Sequence, residues 1–180
     1  MQSADFIAPI RRSKEIKAVC AALHAETERG VVRSFQEGKL RVGRMNIDVS
    51  WQDGRTSRLR IDIEAATLTF AALLTGVSAG SPLYREMKTL LRAAQSYDRA
   101  NERGGELHRF RIDPTKAMVR MTEQAGKLSL GVIVTSGEYE YCTRRLVHLA
   151  REAFSVLPER KPHGDGYRAL TSARCPESTV

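Results

Sequence analysis

The stretch Asn46-Ile-Asp-Val-Ser-Trp51-Gln-Asp53-Gly54-Arg-Thr-Ser-Arg58-Leu-Arg60-Ile-Asp-Ile63 decides the fold class. Ile47, Val49 and Trp51 fall on one side of a period-two pattern, with polar residues between them. Leu59, Ile61 and Ile63 repeat the pattern against Arg58 and Arg60. Asp53-Gly54 sits between the two runs, and that dipeptide between alternating segments is a strong hairpin signal. Alternation of this kind belongs to antiparallel strands with one dry and one wet face.

Working outward, Lys39-Leu-Arg-Val-Gly43 also alternates and reads as a strand. Ala65–Leu74 is a short apolar stretch that reads as a helix stopping at Gly76. On the N-terminal side, Ser13 can cap a helix running to about Glu28, with Ile16, Val19, Cys20 and Leu23 on one face. Residues 1–12 form a loose arm. On the C-terminal side, Ser81-Pro82 opens a long helix over 82–103, striped with Leu83, Met87, Leu90, Leu91 and Ala94. A second β region follows at 108–112, 117–122 and 128–134, with a short strand at 138–141 and a last helix to about Leu157. The whole is an α+β chain: two groups of antiparallel strands each followed by a helix, plus an N-terminal helix and a long central helix. Residues 1–157 form a single domain on this reading, and 158–180 form an irregular tail. The segments 61–68 and 139–146 align as strand endings turning into a helix. They suggest duplicated halves at about 38–76 and 108–157.

Charge adds a functional hint. The net charge is +8, and it is unevenly placed. Residues 39–60 hold six Lys/Arg against Asp48 and Asp53, and residues 108–127 hold five against Asp113 and Glu123, while the other segments nearly balance. Both basic stretches coincide with expected strands. Lys39 and Arg41 would share a strand face, as would Arg58 with Arg60 and Arg109 with Arg111. Basic side chains on a sheet face can neutralise phosphates and release counterions. The competing role is a solvated face whose charges guard the sheet against edge pairing. Trp51 is the aromatic with which to test base stacking, although it shares its strand face with Ile47 and Val49.

Other chemistry is poorly represented. Cys20, Cys142 and Cys175 are widely separated and odd in number, which suits a reducing, cytoplasmic setting better than a disulfide framework or a zinc site. The opening residues lack the pattern of a signal peptide. The four histidines share no metal-ligand spacing. The acid pairs Asp62/Glu64 and Glu138/Glu140 lack the further ligands that a two-metal site needs. Gly76-Val-Ser-Ala-Gly80 lacks the Lys-Ser/Thr of a phosphate-binding loop. No cofactor, metal or catalytic residue is expected, and the chain reads as a binding protein.

The order of strands and helices, and the segment Leu128–Pro158 with its helix Arg145–Phe154, resembles the Whirly family of single-stranded-DNA-binding proteins. Gly38-Lys39-Leu40 is the nearest counterpart of that family's DNA-contacting lysine-glycine-lysine segment. The resemblance implies single-stranded nucleic acid as partner. The same element order is similar to small secretion chaperones, which implies a polypeptide partner instead, but such chaperones tend to be acidic. The nucleic-acid-binding residues expected are therefore Lys39, Arg41, Trp51, Arg58, Arg60, Arg109, Arg111, Lys116 and Lys127. The long helix could supply a homodimer contact that extends the basic face.

Overall fold

Alternation places Met45, Ile47, Val49 and Trp51 on one side of a strand, and these four side chains are buried while Arg44, Asn46 and Asp48 are exposed. A computed structural model describes residues 13–95 and 111–156. In chain order the elements are α1 (Lys14–Glu28), β1 (Val32–Glu37), β2 (Arg44–Trp51), β3 (Thr56–Asp62), β4 (Thr67–Thr75), α2 (Pro82–Gln95), β5 (Ala117–Gln124), β6 (Lys127–Val134) and α3 (Tyr139–Ser155). The six strands form one antiparallel sheet in the order β1-β2-β3-β4-β6-β5. The two strand groups expected from the sequence thus join through β4 and β6 into a continuous surface.

One face of that sheet is dry. Ile47, Leu59, Ile61, Leu68, Phe70, Leu128 and Leu130 are fully buried there. Helices α1 and α3 pack against each other, α1 also touching β1 and α3 touching β4 and β6. Trp51 ties the layers together, its ring 5.1 Å from Phe154 of α3 and 5.5 Å from Phe70 of β4. Helix α1 begins at Ser13, whose hydroxyl accepts the Ile16 N–H at 3.3 Å. Helix α2 begins beside Ser81, whose hydroxyl accepts the Tyr84 N–H at 3.2 Å, as the Ser-Pro signal predicts. The continuation expected for that helix to residue 103 lies outside the described residues.

Four expectations are corrected. The stretch 65–74 is not a helix: Leu68 and Phe70 alternate inward with Thr67 and Thr69 outward, and β4 pairs on both sides. Pairing between two neighbours outweighs the helix propensity of the Ala/Leu run. A bulge between Phe70 and Leu74, with Ala72 at φ +50, absorbs the residues that break the alternation. Residues 39–43 are not a strand but a loop closing in the bridge Arg41–Arg44. The strand at the edge beside β2 is β1, whose Val32 and Phe35 follow no clean period because the register slips between Val32 and Ser34. Residues 138–141 do not form a strand; α3 starts at Tyr139, with Tyr139, Cys142 and Leu146 buried at helical spacing. Consequently 61–68 is strand, turn and strand, while 139–146 is helix, so the segments aligned as a duplication differ in structure. Of the expected strand 108–112, residues 108–110 lie outside the described residues, and Arg111 and Ile112 are not in a strand.

Candidate nucleic-acid interface

The face of the sheet opposite the helices carries small polar and basic side chains. Strand register aligns Asn46, Arg60, Thr69, Gly131 and Arg120 in one row across five neighbouring strands. Arg60 and Arg120 are three strand spacings apart, about 14 Å at roughly 4.8 Å per spacing. Between them the surface sinks because Gly131 has no side chain. A Cβ there would lie 2.7 Å from Thr69 Oγ1 and 2.8 Å from the Leu68 carbonyl oxygen. The resulting hollow of about 190 Å³ is edged by Thr69, Arg120, Thr122 and Ser129.

A wider depression of about 570 Å³ lies at the β2–β3 end of the same face. Lys39, Arg41, Arg44 and Arg60 line it together with Asn46 and Asp62. Arg44 Nε donates to Asp62 Oδ2 at 2.7 Å. The Asp62 carboxyl is held below the usual carboxylate range, chiefly because it accepts the Ala65 N–H, with Arg44 adding to the effect. Lys39, Arg41 and Arg60 make no ion pair among the described residues, which leaves their charge available to an anion.

The expected site residues separate into three groups. Lys39, Arg41 and Arg60 come together in the depression. Lys127 lies at the β5–β6 turn, paired in register with Thr75 and Gln124 on the same open side. Arg58 is on the open face, but its Nε donates to Asp48 Oδ1 at 2.9 Å, and that bond raises its pKa and uses its charge.

The remaining expected residues do not join them. Lys116 Nζ is 2.9 Å from Glu138 Oε2 and 4.8 Å from the centre of the Tyr141 ring, so it serves the start of α3. The Glu138 hydrogen bond raises its pKa. Arg111 is half-buried in the segment before β5, and Arg109 lies outside the described residues. Trp51 is in the core, 2 % exposed, with Nε1 donating to Ser57 Oγ at 2.9 Å, so it offers no stacking face. Two basic residues of the open face escaped the sequence reading, Arg44 and Arg120. Their signal was present in the alternation of Arg120 with Val119 and Met121, and of Arg44 with Met45.

A third concavity, about 930 Å³, lies on the helical side between α1 and α3. Its charges are largely satisfied within it: Arg29 bonds Glu26 at 3.0 Å, Arg144 bonds Glu140 at 2.7 Å, and His148 Nε2 lies 3.1 Å from the buried Glu26 Oε2. The open sheet face differs in holding Lys39, Arg41 and Arg60 together in one depression with no ion pair among the described residues. Among the described residues no group of three His, Cys, Asp or Glu side chains is placed to hold a metal ion. Nor is any helix of these residues long and apolar enough to cross a membrane.

Comparisons with known proteins add no relative. No family model matches this chain, and no curated protein or solved structure matches it significantly.

Proposed function

We propose that this chain binds single-stranded nucleic acid through the sheet face opposite the helices, holding the phosphate backbone without acting chemically on it. One observation carries the reading. Arg44, Arg58, Arg60, Arg120 and Lys127 project from the open side of the strands, and Lys39 and Arg41 stand beside them, against only Asp48 and Asp62 on those strands. The two acids occupy Arg58 and Arg44, leaving five basic groups for phosphates. A single-stranded ligand suits the shape, because among the described residues the face projects no helix to enter a major groove. A flexible backbone can instead be laid across it, as basic surfaces do with single strands. Among the described residues the face carries no aromatic side chain, which makes phosphate contact, rather than stacking, the source of affinity.

The test is fluorescence anisotropy with labelled single- and double-stranded oligonucleotides across a salt series. Five neutralised phosphates give a slope of log K against log salt of about −3.5 on a single strand, since each contributes roughly −0.7. Absence of binding to any nucleic acid at low salt would sink the proposal. A polypeptide partner retained at high salt would then be the reading to pursue.

A further inference from the structure

The loop that carries Lys39 and Arg41 into the depression ends in an unusual turn. Arg41 N–H donates to the Arg44 carbonyl and Arg44 N–H to the Arg41 carbonyl, both at 2.8 Å, closing a two-residue turn over Val42 and Gly43. Both central residues have positive φ, +42 for Val42 and +69 for Gly43. Glycine accepts that geometry. A β-branched residue does not, because its Cβ is crowded by the backbone, and Asn, Asp or Gly is the ordinary occupant of the first position. Val42 is also 84 % exposed, against 55 % for Met118, the other large hydrophobic residue exposed among the described residues. Neither burial nor backbone preference therefore explains a valine here. Strain of this kind is held by the surrounding structure and clusters at ligand clamps and switch regions.

Its surroundings indicate the partner. Val42 lines the same depression as Lys39, Arg41, Arg44 and Arg60, with Met45, Asn46 and Asp62 completing the wall, and the one carboxylate of that wall, Asp62, is engaged by Arg44. Glu64 approaches the turn from the side of Gly43, its Cγ 3.5 Å from where a Gly43 Cβ would stand. A ligand that fits must present anionic groups to Lys39, Arg41 and Arg60 and an apolar face to Val42. We infer that Val42 is the base-contacting residue of this protein, packing against the face of one unpaired base while the flanking phosphates lie on Lys39, Arg41 and Arg60. This rests on the nucleic-acid reading and sharpens it: the ligand is a strand whose bases are unstacked. In a duplex those faces are covered by neighbouring bases.

The experiment compares a labelled oligothymidine with an abasic strand of the same length, using the full chain and its Val42→Asn variant. Asn fits the turn and removes the apolar surface. Wild type should prefer the base-bearing strand by about tenfold, the scale of covering one small aliphatic side chain. Val42→Asn should lose that preference while keeping the abasic affinity and the salt slope, and Val42→Ile should retain it. Val42→Gly, which the turn also accepts, should reproduce the Asn result and guards against a misfolded variant. Equal preference in wild type and both turn-compatible variants overturns the inference while leaving phosphate binding intact. Failure of wild type to bind either strand overturns the underlying reading, and the inference with it.

Discussion

At the scale of single residues, three side chains show how far composition and period can be trusted. Val42 shares a period-two pattern with Leu40 against Lys39 and Arg41, as a strand residue would, yet it occupies the left-handed region at a turn tip. Replacing it with Asn should raise the free energy of unfolding by about 1 kcal/mol, because the β-branched side chain disfavours that conformation by roughly 1–2 kcal/mol. Urea denaturation checks this, and a loss of stability would show that the valine makes contacts within the fold. Trp51 was a stacking candidate only because an aromatic on a basic hairpin invites that role. Its period-two company, Ile47 and Val49, pointed to the core, and the core is where it lies. The emission of Trp51, the one tryptophan of the chain, should stay unchanged when oligonucleotide binds, and strong quenching would show that the ring reaches the ligand. Cys142 is buried, which pushes its thiol up to about 11 from an ordinary 9.0. The folded chain then keeps a proton that the unfolded chain has released, so stability is full below pH 9.0 and falls as pH rises toward 11. Urea midpoints at about pH 8 and about pH 10.5 should differ more for wild type than for Cys142→Ala. An equal drop in both would assign the alkaline loss to other groups.

At the scale of elements, the sequence revealed those whose local pattern and tertiary role agree. The β2–β3 hairpin, α1 with its Ser13 cap and α2 behind Ser81 are of this kind. It misled where a neighbour in space decides. In Thr67–Thr75 the run Ala-Ala-Leu-Leu looks helical, but β3 and β6 each require a partner, and the bulge at Ala72 reconciles the residues with the ladder. Tyr139-Glu-Tyr141 mimics alternation over three residues, and only the continued spacing to Leu146 and Leu149 reveals a helix. The same dependence on neighbours gives Gly131 its meaning. No sequence signal tells that β4 passes so close that a Cβ would meet both Thr69 Oγ1 and the Leu68 carbonyl. Gly131→Ala should destabilise by about 1–3 kcal/mol, the usual cost of overpacking. Adding Thr69→Ala should recover only part of it, because the Leu68 oxygen belongs to the backbone and remains in the way. Full recovery in the double variant would assign the whole cost to the threonine hydroxyl.

At the scale of the molecule, the question that sequence could not answer was whether the basic faces are continuous, because that depends on which strands meet. The β4–β6 pairing joins them. Lys39, Arg41 and Arg60 lie toward one side of the open face, and Arg120 and Lys127 toward the other, separated by the uncharged strand β4. A strand long enough to cross should touch both groups, whereas a short one can engage only one. Six strands span about 24 Å across the sheet at roughly 4.8 Å per spacing. Paired alanine variants separate the two cases. For a long oligonucleotide, Lys39→Ala with Arg60→Ala and Arg120→Ala with Lys127→Ala should each reduce the salt slope by about 1.4, two phosphates at roughly 0.7 apiece. For the shortest oligonucleotide that still binds, only the first pair should matter, because the 570 Å³ depression gathers the most positive charge into one place. Arg58→Ala should change the slope least, since Asp48 already neutralises that guanidinium. Should the Arg120/Lys127 variant leave the slope of the long strand untouched, the interface would shrink to the depression, and the β5–β6 end of the face would be ordinary solvated surface.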